Sequence, residues 1–313
     1  MKNILILGGL GFIGKNLLEE FSGDRRYSLI VFDRPAALKK AVRRKGIKYY
    51  GGDFDSQTAL EKVFSENKVD TVLHLVSTTV PAASDGFEMV YDIESNLVPT
   101  VRLLCLMRKY GARKIVFASS GGTVYGPETA HARRGGIPES ASTNPICSHG
   151  TVKLAIEKYI QLSSYLHGLE YLVLRISNPY GEQHASLVQG LINVALRNAH
   201  DGKPVTVWGD GKVVRDYIYI ADCVKAVKKL IDLGASGEII NVGSGKGYSV
   251  NEVLRLVRGL AGDFKIERKP GRKFDVPRVV LDISRLKSLT GFRPTDIRTG
   301  IKNTLEWLRK KPE

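Results

Sequence analysis

Residues 5–14 read LILGGLGFIG, and this stretch decides the fold. The apolar run at 4–7 predicts a strand buried on both faces of a parallel sheet. Glycines follow with the spacing GxxGxxG, which differs from the GxGxxG dinucleotide fingerprint, and residues 15–21 then have the pattern of a helix. This order predicts a phosphate cradle, because a glycine turn brings the backbone close to the ligand and a helix N-terminus offers unpaired N–H groups. The predicted ligand contacts are Gly8, Gly11, Phe12, Ile13 and Gly14.

The second predicted strand, residues 27–32, supports a nucleotide cofactor. It ends at Asp33, 19 residues after Gly14. An acidic side chain there accepts hydrogen bonds from the adenosine ribose hydroxyls and repels a 2′-phosphate, which favours NAD over NADP. The adjacent Arg34 weakens that preference, since arginine serves a 2′-phosphate. An α/β domain that binds another phosphate, or none, stays open as the alternative.

The composition is that of an ordinary soluble protein. The chain has 313 residues, of which 25% are charged and 43% hydrophobic, enough for a full core and one or two domains. Its three cysteines are far apart and form no CxxC pair, which argues against a zinc site or a disulfide framework. No window approaches the ~18 apolar residues of a membrane span, and the N-terminus makes a poor signal peptide. We expect a cytoplasmic protein with no metal site and no integral membrane segment.

The formal charge of +15 has two interpretations. Basic residues cluster at 39–45, 133–134, 228–229 and 309–311. These clusters fall on different predicted elements, without aromatic interleaving or a nucleic-acid motif, so no nucleic-acid partner is expected. We interpret them as a solvated surface that attracts anionic ligands, with peripheral contact to an anionic membrane surface as the alternative.

Strands and helices alternate through the first half of the chain. A long helical pattern at 88–110 contains Pro99, which implies a kink or break, and ends at Gly111. The order predicts a doubly wound parallel sheet with ligand at the carboxyl ends of its strands. The other predicted helices are 36–45, 56–66 and 148–167, and the other strands are 47–50, 70–76, 114–118 and 171–175.

The regular alternation of predicted strands and helices ends past residue 178, where glycine and proline become frequent. Short strands are predicted at 205–208, 217–220, 239–242 and 264–267. We predict a smaller α/β domain whose chain crosses from the first domain more than once, with substrate in the cleft between them. The predicted domains are 1–177 with 216–243 for the cofactor, and 178–215 with 244–313 for the substrate.

Several motifs together resemble the extended short-chain dehydrogenase/reductase family and, within it, the NAD-dependent sugar-nucleotide epimerases. They occur in family order over nearly the whole chain: GGLGFIG at 8–14, SSGGTVYG at 119–126, RISNPYG at 175–181, RDYIYIAD at 215–222 and NVGSG at 241–245. The resemblance implies a Rossmann-type sheet, bound NAD and a UDP-sugar substrate. It also suggests a homodimer formed through helices 88–110 and 148–167.

One catalytic position departs from the family pattern. In the family a tyrosine takes the proton of the sugar hydroxyl, and a lysine four residues later holds the nicotinamide ribose. Residues 144–153 read NPICSHGTVK, so Lys153 is present but His149 stands at the tyrosine position. Imidazole, with a reference pKa of about 6.5, accepts a proton at neutral pH without help, whereas phenol near 10 does not. His149 is therefore a candidate base; the alternatives are an impaired member, a change introduced to trap substrate, or a structural histidine.

The family's second proton-handling group is a Ser or Thr just before Val-Tyr-Gly. Its commonest position is held here by Gly121, which leaves Ser119, Ser120 and Thr123 as candidates, with Thr123 and Ser120 preferred. These hydroxyls could instead cap a strand end and satisfy backbone groups.

The remaining site residues carry over by position. For the nucleotide diphosphate and uridine, the resemblance implies Asn178, Arg215, Arg272 and Asp275, with Thr123 at the sugar; a surface salt bridge is the alternative for each arginine. For the cofactor it implies Asp53, Phe54, Leu75, Ser119, Lys153 and Pro179.

The function expected from these residues is epimerisation at C4 of a UDP-hexose or UDP-N-acetylhexosamine, through a transient 4-keto sugar. A dehydratase of this family carries Thr-Asp-Glu before Val-Tyr-Gly, and the Gly-Gly-Thr at 121–123 counts against it. A ketoreductase and a binding protein without turnover stay open as alternatives. Which sugar is bound, and whether it is free or lipid-linked, stays open too.

Overall fold

The first half of the chain alternates strands and helices, as predicted. The computed structural model describes residues 1–79, 86–127, 135–187, 189–271 and 276–310. The elements in this part are β1 Lys2–Leu7, α1 Phe12–Glu20, β2 Tyr27–Asp33, α2 Pro35–Lys39, β3 Lys48–Gly51, α3 Gln57–Glu66, β4 Thr71–His74, α4 Gly86–Asp92, a π-helical turn Ile93–Leu97, α5 Val98–Tyr110, β5 Lys114–Ser120, α6 Ser148–His167 and β6 Glu170–Ile176.

The later elements are shorter. They are β7 Asn178–Tyr180, α7 Leu191–His200, β8 Val205–Trp208, β9 Val214–Tyr219, α8 Ile220–Asp232, β10 Glu238–Val242, β11 Gly247–Ser249, α9 Val250–Ala261, β12 Ile266–Lys269, β13 Arg278–Val279, α10 Ser284–Thr290 and α11 Ile297–Lys310. Thus β9 begins before the predicted strand 217–220, and β12 lies two residues beyond the start predicted at 264.

The main sheet has seven strands in the order β10-β6-β5-β4-β1-β2-β3. Neighbours β1–β2, β1–β4, β2–β3 and β4–β5 are all parallel. Strand order reverses at β1, so Leu7 at its carboxyl end lies between Phe32 of β2 and His74 of β4. Such a reversal leaves a crevice at the carboxyl ends of the strands, where open α/β sheets bind ligands. The predicted doubly wound, Rossmann-type α/β fold is confirmed.

The core of this sheet follows from its apolar strands. Leu5 and Leu7 of β1 are fully buried, as are Val72 of β4 and Ile115 of β5. Helices α3 and α5 pack against each other and contribute further buried side chains to the same cluster, including Leu103. A strand with helices on both faces has no solvated side, which is why these segments read as continuous hydrophobic runs.

The chain divides into two compact units. The first comprises Met1–Val124, Pro145–Arg175 and Ile231–Ile240. The second comprises Tyr125–Asn144, Ile176–Leu230 and Asn241–Glu313.

These units do not follow the predicted domain boundaries, since residues 125–144 and 216–230 fall in the second unit. In that unit β9 pairs with β7, β11 and β13, and Ile137 pairs with Leu281. The assignment depends on partners distant in sequence, and no local pattern reveals them.

Helix α2 is shorter than predicted. The sequence pattern extended the helix over 36–45, whereas α2 spans Pro35–Lys39 and buries none of its residues. Like charges four residues apart, such as Lys39 and Arg43, repel each other on a helix surface. Without a buried face to offset that repulsion, the basic segment does not continue the helix.

The predicted break near Pro99 takes the form of the π-helical turn Ile93–Leu97. Proline has no N–H to donate, and its ring clashes with the carbonyl of the preceding helical turn. A wider π turn directly before α5 accommodates both defects, and Pro99 then lies in the first turn of α5. Gly111 ends α5 in the left-handed conformation, φ 72°, as predicted.

Among the described residues, no helix is both long enough and apolar enough to span a bilayer.

We expect Gly300→Ala to destabilise the second unit, although alanine usually stabilises a helix interior. A Cβ at Gly300 in α11 would overlap with Oη of the buried Tyr180. We expect a loss of about 1–3 kcal/mol in the free energy of unfolding, measured by urea denaturation. The matched control is Gly259→Ala in α9, where no atom lies within 4 Å of the new Cβ, and a gain of up to about 1 kcal/mol is expected. Equal effects of the two substitutions would contradict the packing argument.

Candidate active site

The glycine turn between β1 and α1 is built for close backbone approach. Gly8 has φ +76°, and its carbonyl accepts the N–H of Gly11 at 3.1 Å. A Cβ on Gly14 would lie 2.5 Å from the Gly8 oxygen, so only glycine fits there. Helix α1 begins at Phe12, earlier than the predicted residue 15, and its N-cap Gly11 has no side chain to cap the first turn. The first N–H groups of α1 are thus left for an anion.

Asp33 connects this turn to β2. Its carboxylate accepts the N–H of Leu10 at 2.8 Å and that of Arg34 at 2.8 Å. These two bonds fix the carboxylate at the carboxyl end of β2, the position at which an acid meets a ribose hydroxyl.

A cavity of about 410 Å³ opens at this edge of the sheet. The predicted cofactor contacts Gly8, Gly11, Asp33, Arg34, Asp53, Phe54 and Leu75 line it. Phe12, Ile13 and Gly14 form the first turn of α1 and are not among the lining residues. Residues that the sequence did not single out also line it: Phe32, Gly52, Asp55, Val76, Ser77, Thr78, Tyr91 and Ser95.

One wall of this cavity carries the hydroxyl groups of Ser77 and Thr78, after β4, and of Ser95 in the π turn. Thr78 Oγ1 lies 2.6 Å from Ser95 Oγ, and the Thr78 N–H donates to Asn96 Oδ1 at 3.0 Å. Ser77 and Thr78 lie three and four residues after the end of β4 and could have been inferred from that strand end. Ser95 could not, because its direction depends on the π geometry.

Lys153 of α6 is held at the ends of two strands. It is 6% exposed, and its Nζ donates to the Ala118 carbonyl of β5 at 2.9 Å and to the Val76 carbonyl at 3.5 Å. Burial lowers the pKa of Lys153 to about 8, and the nearby Glu157 carboxylate opposes that shift. Val76 lines the cavity, so the ammonium is bonded to a residue of the cavity wall, although Lys153 itself is not among the lining residues.

His149 lies one helical turn before Lys153, half-buried in the first turn of α6. Burial and, to a smaller extent, the Lys153 charge together lower its pKa to about 4, with Asp92 opposing the shift. The imidazole is therefore neutral at neutral pH and able to accept a proton.

The first turn of α6 touches the loop that follows β5. A Cβ on Gly150 would lie 2.7 Å from the Thr123 carbonyl oxygen, so glycine lets this helix approach the loop closely. The Oγ1 of Thr123 is buried and has no hydrogen-bond partner in the described structure. A buried hydroxyl without a partner is costly, and a bound ligand would supply the missing bond. Ser120 ends β5 three residues earlier and is half-buried.

Ser119 is engaged in a buried ion-pair network. Its Oγ donates to Glu157 Oε1 at 2.5 Å, and Arg175 Nη2 of β6 donates to Glu157 Oε2 at 2.7 Å. All three residues are buried, so the Ser119 hydroxyl is occupied by protein rather than turned to the cavity. The sequence did not single out Glu157, although its position four residues after Lys153 places it on the same helix face.

The second unit holds the other predicted contacts. Asn178 and Pro179 lie on β7, and Arg215 lies on the neighbouring β9. Asn178 Nδ2 donates to the Asp216 carbonyl at 2.9 Å, and Arg215 Nη1 donates to the Val276 carbonyl at 2.6 Å. Arg272 and Asp275 lie outside the described residues.

Comparison with known proteins decides the family. The NAD dependent epimerase/dehydratase family matches residues 4–243, well over half of the chain. The protein belongs to this family.

Solved members of the epimerase/dehydratase family share the fold over nearly the full length. UDP-glucose 4-epimerase of Thermotoga maritima, solved with UDP-glucose, is 30% identical with a TM-score of 0.88, covering 98% of this chain and 99% of that one. UDP-glucose 4-epimerase of Thermus thermophilus, solved with NAD, is 30% identical with a TM-score of 0.89 at the same coverage. The dTDP-4-dehydro-6-deoxyglucose reductase of Escherichia coli is 31% identical over 322 residues, 98% of each chain.

NAD is the cofactor of this enzyme family, and the first unit fits it. The close Gly8–Gly14 approach leaves no room for side chains where a pyrophosphate meets the backbone. Asp33 provides a fixed acceptor at the end of β2. These features would hold the pyrophosphate and the adenosine ribose.

We expect Glu157→Gln to destabilise the protein by about 3–5 kcal/mol, because it leaves the buried Arg175 without its counter-charge. The matched control is Glu306→Gln, which removes an exposed i,i+4 pair with Lys302 at 3.9 Å. That control should cost less than about 0.5 kcal/mol. Urea unfolding measures both changes. Similar losses in the free energy of unfolding would show that the buried pair contributes no more to stability than the exposed pair.

Proposed function

We propose that the protein epimerises C4 of a UDP-hexose or UDP-N-acetylhexosamine, with His149 as the base. The observation that carries the proposal is the placement of Lys153. Its ammonium is bonded to the carbonyl of Val76, which lines the nucleotide cavity, and His149 precedes it by one turn of the same helix. The likeness to UDP-glucose 4-epimerases solved with NAD and with UDP-glucose supports the same assignment.

In the proposed reaction His149 removes the proton of the sugar 4-hydroxyl. Bound NAD would supply the hydride acceptor for C4 and then the hydride donor for the other face of the resulting 4-keto sugar. The unpartnered Thr123 hydroxyl donates to the sugar oxygen and orients it. Lys153, protonated at neutral pH, holds the nicotinamide ribose and keeps His149 in its neutral form between turnovers.

The UDP group is assigned to the second unit. Asn178 and Arg215 lie on neighbouring strands there, and a guanidinium suits a diphosphate because its N–H fork matches phosphate oxygens. Arg272 and Asp275 are proposed to complete the uridine contacts, as the sequence resemblance implies.

The test is epimerisation of UDP-glucose, UDP-galactose and their N-acetyl forms by the wild type, His149→Phe and His149→Tyr. We expect an active wild type and a loss of at least about 10²-fold in His149→Phe, because general base catalysis typically contributes that much. We expect His149→Tyr to be slower, since a phenol oxygen does not occupy the position of the imidazole nitrogen.

The pH dependence separates the two bases. A base works above its pKa, so the wild-type rate should fall only as the pH drops toward about 4. In His149→Tyr the rate should already fall as the pH drops below the much higher pKa of the tyrosine. An inert wild type that tyrosine activates would mean that His149 is an inactivating replacement.

A ketoreductase is the second candidate, favoured by the likeness to the Escherichia coli reductase. A reductase consumes one reduced nicotinamide in each turnover, whereas an epimerase has no net redox change. Stoichiometric oxidation of added NADH by a 4-keto nucleotide sugar, without epimerisation, would favour the reductase.

We also propose a homodimer formed through α4, α5 and α6. These helices pack together and leave a row of large apolar side chains on their outer faces. The exposed residues are Phe87, Met89, Val90, Ile93, Val98, Tyr159, Leu162, Tyr165 and Leu166. An apolar face of this extent on a folded protein indicates an interaction surface.

We expect the double substitution Leu162→Glu and Leu166→Glu to produce a monomer in light scattering, because it buries two charges in the proposed interface. Leu233→Glu is the control, since Leu233 is equally exposed at 52% but lies just beyond α8. A wild type that is already monomeric, or a control that dissociates equally, would contradict the proposed interface.

A further inference from the structure

A second buried acid lies beside the first turn of α6. Asp92 is the last residue of α4 and is 4% exposed. Helix α4 and the π turn that follows it both pack against α6. Asp92 interacts electrostatically with Cys147 and with His149, at the start of that helix.

The carboxylate of Asp92 has few hydrogen bonds and no counter-charge to offset the cost of its burial, within the part of the chain that the structure describes. Within the described ranges its side chain accepts one hydrogen bond, from the Thr79 hydroxyl, and no lysine or arginine lies within ion-pairing distance. Glu157, the buried acid on α6 itself, has Arg175 as a full counter-charge. A buried carboxylate with a single hydroxyl donor favours the arrival of a positive charge nearby.

We propose that Asp92 is a positioning residue for His149, whose buried carboxylate stabilises the imidazolium that forms when His149 takes the proton of the sugar 4-hydroxyl. The inference rests on the proposed function. In that step the O–H bond of the 4-hydroxyl breaks, an N–H bond forms on the imidazole, and the hydride of C4 passes to NAD. The return step reverses each transfer, so protons and electrons balance over the cycle.

The charges around His149 oppose one another. Lys153, on the same helix, lowers the pKa of His149, and Asp92, on α4, raises it. A higher pKa makes imidazole a stronger base while leaving it neutral at neutral pH. Asp92 thus restores part of the basicity that burial and Lys153 remove.

The first test compares Asp92→Asn with Glu94→Gln. Both remove one carboxylate in favour of its amide, but Glu94 is exposed on the π turn whereas Asp92 is buried. We expect kcat of Asp92→Asn to fall roughly 3- to 10-fold, with KM and retention of bound NAD unchanged, and Glu94→Gln to match wild type. Asp92→Glu, which keeps the charge, should retain most of the activity. Equal kcat in Asp92→Asn and wild type would overturn the proposal. The proposal would also be overturned if Asp92→Asn and Asp92→Glu both lost activity and both lost bound NAD, since that result would indicate a packing role for Asp92.

The second test repeats Asp92→Asn in the His149→Tyr background. A neighbouring carboxylate raises a tyrosine pKa and so reduces the ionised fraction on which that base depends. Removing the carboxylate should therefore slow the histidine enzyme but speed the tyrosine enzyme, and should move the acid limb of the tyrosine pH profile to lower pH. A loss of the same sign in both backgrounds would mark a structural role.

A third measurement does not need turnover. The imidazole Cε1–H resonance of His149, assigned by its disappearance in His149→Phe, is followed by NMR as the pH is lowered. We expect it to begin shifting at a lower pH in Asp92→Asn than in wild type. Identical titrations overturn the role of Asp92 even if the wild type is inert, whereas an inert wild type with shifted titrations overturns only the proposed activity.

Discussion

Burial of the Lys153 ammonium is the interaction on which the chemistry of the first unit depends. A buried ammonium has to be solvated by protein, and here the carbonyls of Ala118 and Val76 take that role. Both carbonyls lie where strands of the sheet end, so the charge is fixed at the edge where the nucleotide cavity opens. The nearby ring of Phe117, 4.7 Å from Nζ, adds a favourable face for the cation.

The charged states of the residues beside Lys153 on α6 depend on this buried ammonium. His149, Lys153 and Glu157 are spaced four residues apart, on one face of α6. Glu157 is paired with Arg175, so the excess positive charge lies on the side of His149. Burial and that excess charge together keep the imidazole neutral, and the same field would favour an anionic ligand at the cavity.

Local patterns predict the fold of the first unit well. The apolar runs that become β1 and β5 and the helix α6, at Ser148–His167, lie where the sequence indicates, because each has its own periodicity and end signals. The glycine turn and Asp33 are likewise evident, since their chemistry depends on residues close in sequence. Glu157 and Asp92 are not evident, because a buried acid has meaning only beside a partner that the fold supplies. The boundaries of the two units are not evident from the sequence for the same reason.

The π turn Ile93–Leu97 has a consequence for how this helical region can change. One extra residue in a turn rotates everything before it by about 100° relative to everything after it. Tyr91 and Ser95 face the cavity in this phase, while Phe87 and Val98 remain on the outer face. Deleting a single residue there would restore a regular helix and turn α4 out of phase with α5. Asp92 and the cavity hydroxyls would then leave their positions together, so the geometry of the site depends on this one inserted residue.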